Sequence, residues 1–277
     1  MSASAGLRDS VRSYVPRALP LPHRSGQFVH VIERQLRMYR RFWLIFVAGF
    51  IEPLLFLGSI GIGVGRLIHT LPGPGGTPVD YAVYVAPGLL ATSAMNGAVI
   101  DTTFGFFVNY KYGRAYDGML ATPMRVIDVA VGEVIWALLR GAAYSGVFLA
   151  TMAALGYVKS PWALLAFPVA VLIGMAFAAA GLGATTWMRS FVDFDYVNLA
   201  LVPLFLFSGV FFPISRYPGW LETIVRFTPL YQGVELERRL VLGALDPVML
   251  VHAAYLAAMA VVGVAVASRR LRRLLQP

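Results

Sequence analysis

Six long stretches of this chain are almost entirely apolar, and each approaches the length that a helix needs to cross a membrane. A helix rises about 1.5 Å per residue and the hydrocarbon layer is about 30 Å thick, so about 20 apolar residues are required. The stretches are residues 42–64, 83–108, 126–155, 161–187, 196–212 and 248–267. The sequence therefore predicts an all-α membrane protein with six transmembrane helices.

Composition agrees with this prediction. Hydrophobic residues make up 58% of the 277 residues and charged residues only 13%, whereas about 25% of the residues of a soluble domain are charged. The apolar excess must therefore face lipid. Cysteine is absent, which excludes disulfides, thiolate metal sites and cysteine nucleophiles.

The net charge of +9 is compatible with nucleic-acid binding or with the basic cytoplasmic ends of a membrane protein, and the placement of the charges decides between them. With the N-terminus inside, 16 of the 23 basic residues fall in cytoplasmic segments and six in outer segments. An even number of spans also puts both termini on one side. We expect a multi-pass protein of the cytoplasmic membrane, with both termini cytoplasmic and no nucleic-acid partner.

The N-terminal region divides into two parts. Residues 1–26 contain three prolines and many arginines, which is typical of a disordered cytoplasmic tail. Residues 27–41 place apolar side chains at helical spacing among arginines, which favours an amphipathic helix in contact with membrane lipid. A simple extension of span 1 is the alternative. The rest, within 27–277, is predicted to be a single transmembrane domain.

The sequence offers no site for ATP. A phosphate-binding loop ends in Lys-Ser or Lys-Thr after glycines, and neither Lys111 nor Lys159, the only lysines, follows such a loop. No soluble insert is large enough for a nucleotide-binding domain. If ATP drives this protein, a partner binds it, and the chain is predicted not to be an enzyme itself.

Two segments between the spans are unusual. The predicted cytoplasmic link between spans 2 and 3 contains a short helical elbow, 116–123, which ends at a Thr-Pro pair because the residue before proline avoids the helical conformation; an ordinary loop is the alternative. The predicted outer segment 213–247 holds two short amphipathic pieces, the second over Leu230–Leu242. Each piece suits a helix that dips into the outer leaflet or lies on it. The loop 66–80, rich in glycine and proline, is predicted to be irregular.

Several polar residues fall inside predicted spans, where charge is costly and usually faces a protein interior or water. Glu52 and Asp101 are the deepest acids, and they either border a substrate path or dimer seam or form intramembrane pairs with Arg140 or Asn96. The four histidines are scattered, so no metal site is predicted. On the outer segment, Glu235 can pair with Arg238 or Arg239 at helical spacing.

Two motifs carry a family resemblance. Tyr-Asp-Gly-Met-Leu-Ala-Thr-Pro at 116–123 and Ser-Gly-Val-Phe-Phe-Pro at 208–213, with the Pro-Leu-Tyr run at 229–231, resemble signatures of type-2 ABC export permeases. Within that family the likeness is to permeases of nodulation-factor, lipo-oligosaccharide and daunorubicin-type drug export. It covers roughly residues 28–270.

The resemblance implies roles for particular residues. The elbow would be a coupling helix that docks on an ATPase through Tyr116, Asp117, Met119, Leu120, Thr122 and Pro123. The two outer helices would form an outer gate, a re-entrant hairpin that includes Phe212, Pro213, Trp220, Pro229, Tyr231 and Glu235. Spans 1, 2 and 5 would line the substrate path, with Glu52, Asn96, Asp101 and Arg140 as its polar residues.

The resemblance also implies partners and a mechanism. Permeases of this type pair with a second, identical or homologous protomer and with two copies of a cytoplasmic ATPase, which holds the ATP and magnesium, so this chain binds no cofactor directly. We expect export of an amphipathic or lipid-like substrate or drug by alternating access. Two rival classes remain: a secondary transporter driven by an ion gradient, which would predict inverted repeats, and a lipid-modifying enzyme, which would need a cluster of acids or histidines.

Overall fold

The computed structural model describes residues 28–41, 43–111, 124 and 126–275, and it is predominantly helical. Four helical segments in this part are long and apolar enough to cross a membrane: Tyr81–Asn109, Val131–Ala154, Pro161–Thr185 and Val248–Arg270. They coincide with predicted spans 2, 3, 4 and 6, and an all-α membrane protein fits this result. Spans over the predicted first and fifth segments stay predictions.

The helices follow in chain order. They are α1 (Phe28–Arg41), α2 (Trp43–Gly63), α3 (Tyr81–Ile100), α4 (Phe106–Lys111), α5 (Val126–Ala154), α6 (Ala166–Thr185), α7 (Asp193–Phe207), α8 (Gly219–Arg226), α9 (Pro229–Leu242) and α10 (Val248–Leu275). Short 3₁₀ turns at Pro161–Leu165 and Ile214–Arg216 precede α6 and α8.

Helix α3 is the centre of the molecule. Nearly every one of its residues is buried, and it packs against α2, α5, α6 and α9. Helix α10 packs along α6, where a Cβ atom on Gly263 would lie only 2.8 Å from that of Ala179. Helices in a membrane gain stability from such close approach of small residues, which explains the many glycines and alanines in these apolar runs.

A wide turn joins α3 to α4. Residues Asp101–Gly105 form a π turn, in which each amide bonds to the carbonyl five residues earlier and one extra residue enters the helix. The hydroxyls of Thr102 and Thr103 donate to carbonyls of the preceding turn. From α6, the hydroxyl of Thr185 donates to the Thr102 carbonyl at 2.9 Å. Packing against α6 therefore holds the wide turn in place.

Two segments differ from the sequence prediction. The loop 66–80, expected to be irregular, contains an antiparallel hairpin of β1 (Thr70–Pro72) and β2 (Pro78–Asp80), with Leu71 opposite Val79. Predicted span 5 extended to residue 212, but α7 ends at Phe207 because Gly209 adopts a left-handed conformation with φ 71°. A helix of 15 residues is about 22 Å long, which is shorter than the hydrocarbon layer.

The two helices after α7 form where the sequence placed them, but α9 does not lie on the surface of the protein. It packs against α3, α6 and α10, and nine of its residues are buried. Gly233 allows this approach, since a Cβ atom there would lie 2.8 Å from the Cδ1 atom of Ile173. The sequence did not predict this burial because α9 carries four charged residues, which usually mark a solvated face.

Candidate functional site

A buried ion pair joins the π turn to α5. Nη2 of Arg140 lies 2.5 Å from Oδ1 of Asp101, and the two side chains are only 8% and 13% exposed. These are two of the polar residues that the sequence placed in the spans, in one of the pairings that it offered. The other carboxylate oxygen of Asp101 is buried without a hydrogen-bond partner in the described part of the chain.

Aromatic side chains surround this pair. Arg140 donates a hydrogen bond to the hydroxyl of Tyr39 on α1, and its guanidinium lies 5.5 Å from the ring centroids of both Tyr39 and Tyr144. Its Nη2 also lies 3.4 Å from the carbonyl of Gly97. We call Asp101, Arg140, Tyr39 and Tyr144 the Asp101 cluster. It ties α1, the π turn and α5 together.

The described part of the structure does not bring the two other predicted polar residues, Asn96 and Glu52, into this cluster. Asn96 is partly buried on α3, and among the described residues no hydrogen bond links its side chain to the cluster. Glu52 lies within α2, but its side chain is outside the described part of the structure. Their proposed place on a substrate path stays a prediction.

Helix α1 is held to the start of α5 by a second buried carboxylate. Glu133 accepts a hydrogen bond from Nη2 of Arg34 at 2.9 Å and one from Nε2 of Gln35 at 2.8 Å. Next to it, Gly132 leaves so little room that a Cβ atom would lie 2.6 Å from that of Val31. Predicted coupling residues Tyr116, Asp117, Met119, Leu120, Thr122 and Pro123 lie outside the described residues.

A buried arginine on α9 connects the other end of α3 to the turn after α7. Arg238 on α9 is 2% exposed, and it donates to the carbonyls of Tyr84 at 3.2 Å and Gly209 at 2.7 Å. Its guanidinium also lies 3.8 Å from the centroid of the Tyr84 ring. Since Gly209 ends α7 with a left-handed turn, Arg238 fixes that turn against α3.

Glu235 supplies the countercharge. Its carboxylate lies 3.6 Å from Nη1 of Arg238 and 2.9 Å from Nε of Arg239, as the helical spacing predicted. Arg239 in turn reaches Asp246 at 3.5 Å. Three charges on α9 and Asp246 in the loop after it therefore form a chain of alternating sign, which is typical of a rigid network.

A cavity of about 250 Å³ opens beside this network. We call it the polar cup; its polar lining consists of Tyr84, Ser215, Glu222, Arg226, Tyr231, Glu235 and Arg238, and Pro213 and the loop before β2 close its sides. Burial raises the pKa of Tyr231 to about 12, so its hydroxyl stays protonated and can donate to a ligand. Such a cup can bind a polar headgroup through donors, acceptors and both signs of charge.

Three of the six predicted gate residues, Pro213, Tyr231 and Glu235, meet in the polar cup. The others do not line it: Trp220 is 68% exposed, Phe212 is exposed, and Pro229 starts α9. No group of three His, Asp or Glu side chains within the described residues is arranged to hold a metal ion.

Two buried charged residues of α9, Arg238 and Glu237, were not singled out in the sequence as buried groups. Arg238 was considered only as a partner for Glu235, because its carbonyl partners lie up to 154 positions away. Glu237 was not considered as a buried group. On a helical wheel of α9, Arg238 falls on the same face as Val234 and Val241, and this is the local indication that Arg238 is buried.

Glu237 is the most unusual ionisable group of α9, which lies between predicted spans 5 and 6. Its side chain is fully buried, and neither carboxylate oxygen has a hydrogen-bond partner within the described residues. Burial raises the pKa of Glu237 well above its ordinary value of 4.5, because an ionised carboxylate is costly away from water. The folded protein therefore holds Glu237 as the neutral acid.

Replacing Glu237 with glutamine is expected to stabilise the protein as the pH rises. The folded state holds a proton that the unfolded state releases above about pH 4.5, so the free energy of unfolding of the wild type falls by up to about 1.4 kcal/mol per pH unit. The E237Q variant has no such proton to release, so its free energy of unfolding does not fall with pH for this reason. Thermal unfolding of both proteins from pH 4 to pH 9 should give equal midpoints at the acid end and a higher midpoint for E237Q at pH 8.

The matched control is E222Q, because Glu222 is partly exposed and pairs with Arg226 at 2.6 Å. This variant should gain nothing at high pH. A midpoint for E237Q below that of the wild type at pH 8 would contradict the prediction, since it would mean that Glu237 is ionised and paired.

Comparison with known protein families gives a match over most of the chain. Residues 26–241 match the family described as ABC-2 type transporter. This range includes the elbow, the Asp101 cluster and Arg238.

Individual relatives agree with the family match. The chain is 32% identical to nodulation protein J of Rhizobium leguminosarum bv. trifolii over 80% of its length and 84% of the relative's. It is 29% identical to nodulation protein J of Rhizobium meliloti (strain 1021) over 93% and 97% of the two lengths. A protein of Mycobacterium tuberculosis, named probable doxorubicin resistance ABC transporter permease protein DrrC, is 24% identical over 86% of each chain.

Proposed function

The chain belongs to the ABC-2 type transporter family, and on that premise we propose that it is the permease subunit of an exporter whose ATPase is a separate polypeptide. The observation that carries this proposal is the family match over residues 26–241. The names of its relatives, nodulation protein J and a probable doxorubicin resistance permease, support an amphipathic, lipid-like or drug-like cargo. ATP and magnesium would be held by the partner.

The proposed topology has six spans with both termini in the cytoplasm, in the cytoplasmic membrane. Helix α2 has 21 residues, about the length that a span requires, and it would be span 1. Helix α7 would be span 5, shortened at Gly209. The excess of basic residues on the segments that include both termini supports this orientation.

Helices α8 and α9 would form the outer gate. Short helices that return to the side from which they came are tolerated at membrane depth when their backbone is buried in protein, and the packing of α9 against α3, α6 and α10 supports this arrangement. The polar cup would be the contact region of the closed gate. A second protomer would complete the substrate path along spans 1, 2 and 5.

Coupling to the ATPase would run through the elbow at 116–123. The elbow leads directly into α5, and α1 is bound to the start of α5 through Glu133 and through the close contact at Gly132. A push on the elbow would therefore move α1 and the Asp101 cluster together with α5. This connection supports the proposal that both segments face the ATPase.

Replacing Leu120 with aspartate is expected to uncouple the transporter. A buried hot-spot side chain of an interface contributes about 2 kcal/mol or more, so ATPase retention should fall more than about tenfold. The measurement uses tagged permease co-purified with its ATPase and reconstituted in proteoliposomes with doxorubicin as the transported probe. ATP-dependent uptake of the probe should fall in parallel with ATPase retention.

The matched control is L67D, the same change at a residue that is 82% exposed in the loop after α2. It should retain the ATPase and transport. The proposed coupling surface is wrong if L120D behaves as L67D does. The proposed function itself is wrong if the wild type transports without ATP and instead follows a proton gradient.

A further inference from the structure

A long apolar cleft lies between α6 and α7. Its volume is about 610 Å³, and its walls are formed mainly by small and aliphatic side chains such as Ala180, Ala184, Ala200 and Leu204. Residues of α3 and α10 form its floor. Neither the Asp101 cluster nor the polar cup contributes to it.

The dimensions of the cleft match one leaflet of a membrane. It extends from Trp187 and Asp193, near the loop between the two helices, to Phe177 and Leu204. About eleven helical residues separate its ends, which corresponds to a length of about 16 Å. Half of the hydrocarbon layer is about 15 Å thick. A lipid chain that enters from the level of the loop would therefore fill the cleft to the middle of the membrane.

The loop end of the cleft carries positive charge. Arg189 lines this end. The guanidinium of Arg270, on α10, lies 4.1 Å from the ring centroid of Trp187, and its Nε atom lies 3.2 Å from the hydroxyl of Thr186. No carboxylate within the described residues forms an ion pair with Arg270. The stacking against Trp187 holds this cation at the entrance of the cleft.

One acid, Asp193, also lines this entrance. Asp193 accepts hydrogen bonds from the amides of Arg189 and Ser190, at 2.5 and 3.0 Å. These two bonds close the turn that precedes α7. Asp193 and Arg189 are neighbours of opposite charge at this entrance, so Arg270 is the cation that would meet an anionic headgroup.

We propose that this cleft binds one anionic phospholipid. Its phosphate would lie beside Arg270, and an acyl chain would run along α6 and α7. A tryptophan and basic residues at the membrane interface above an apolar groove are the features that recognise such a lipid. The proposal rests on the proposed function, since α3 and α7 belong to spans 2 and 5, which border the proposed substrate path. Lipid binding is measured without transport, so the lipid site can fail while the proposed function stands.

The test compares binding of phosphatidylglycerol and phosphatidylcholine to the purified full-length protein in neutral detergent, measured by native mass spectrometry. The wild type should retain one phosphatidylglycerol in preference to phosphatidylcholine. R270Q should weaken phosphatidylglycerol binding about fivefold, as expected for the loss of one basic contact. The matched control R269Q removes the same charge from the exposed neighbouring residue and should leave binding unchanged.

A second pair of variants tests the apolar part of the cleft. A180F fills the cleft and should prevent retention of the lipid, whereas A153F places the same side chain at an exposed position on α5 and should not. Equal losses in R270Q and R269Q, equal binding of the two lipids, or full retention in a folded A180F protein would each overturn the proposal.

Discussion

Replacing Arg238 with leucine is expected to abolish transport and to lower the free energy of unfolding by about 3–5 kcal/mol, the effect of removing one partner from a buried charge pair. Arg238 is buried and satisfies the carbonyls of Tyr84 and Gly209. Its loss would leave these carbonyls unpaired and Glu235 with less countercharge. The turn after α7 would then lose its attachment to α3. Unfolding in detergent and reconstituted transport measure the two effects.

Two variants separate this specific role from a general effect of charge. R238K keeps the charge but presents three donors from one atom instead of a planar fork, so it should recover part of the stability and little of the transport. R239Q removes a neighbouring arginine that is partly exposed and should cost about 1 kcal/mol or less. If R238L and R239Q lose stability equally, Arg238 does not hold the turn.

The Asp101–Arg140 pair is expected to show strong coupling in a double-mutant cycle. D101L or R140L alone leaves a buried charge without its partner, at a cost of about 3–5 kcal/mol. The double variant D101L/R140L replaces the pair with apolar side chains and should recover at least about half of that loss. The free energies of unfolding of the four proteins give the coupling energy directly.

Transport by the same four proteins decides between the two roles that the sequence left open for Asp101. If the double variant recovers both stability and transport, the pair only fixes helix packing. Recovery of stability without transport would assign Asp101 and Arg140 to the substrate path or its movement. If the losses of stability in D101L and R140L simply add in the double variant, the two residues do not interact as a buried pair. Full stability and full transport in D101N would contradict the pair as well.

Much of the fold could be predicted because the signal for a span is local. The apolar run of α3 fixes where a helix lies, and its predicted bounds differ from the observed ones by a few residues. The end of predicted span 5 was wrong because Val210, Phe211 and Phe212 are as apolar as a span requires. The left-handed conformation of Gly209 depends on contacts with α3 and α9 that no local pattern contains.

The candidate sites were less predictable because their residues meet over long sequence distances. Pairing within α9 follows from helical spacing, and the sequence anticipated it for Glu235. The contact of Arg238 with the Tyr84 carbonyl joins residues 154 positions apart. The burial of Glu237 contradicts the usual surface location of a helix with several charges, since the packing of α9 between other helices overrides its polar composition.

The π turn at Asp101–Gly105 separates α3 from α4, so the long and the short part of span 2 do not share one helical wheel. A single inserted residue rotates everything that follows by about 100°, the angle between neighbouring residues in a helix of 3.6 residues per turn. A helical face drawn along α3 therefore does not continue along α4. A mutational scan that extrapolates a face across the turn would select the wrong side chains. The absence of native cysteines makes this chain well suited to mapping α3 and α4 separately by introduced cysteines.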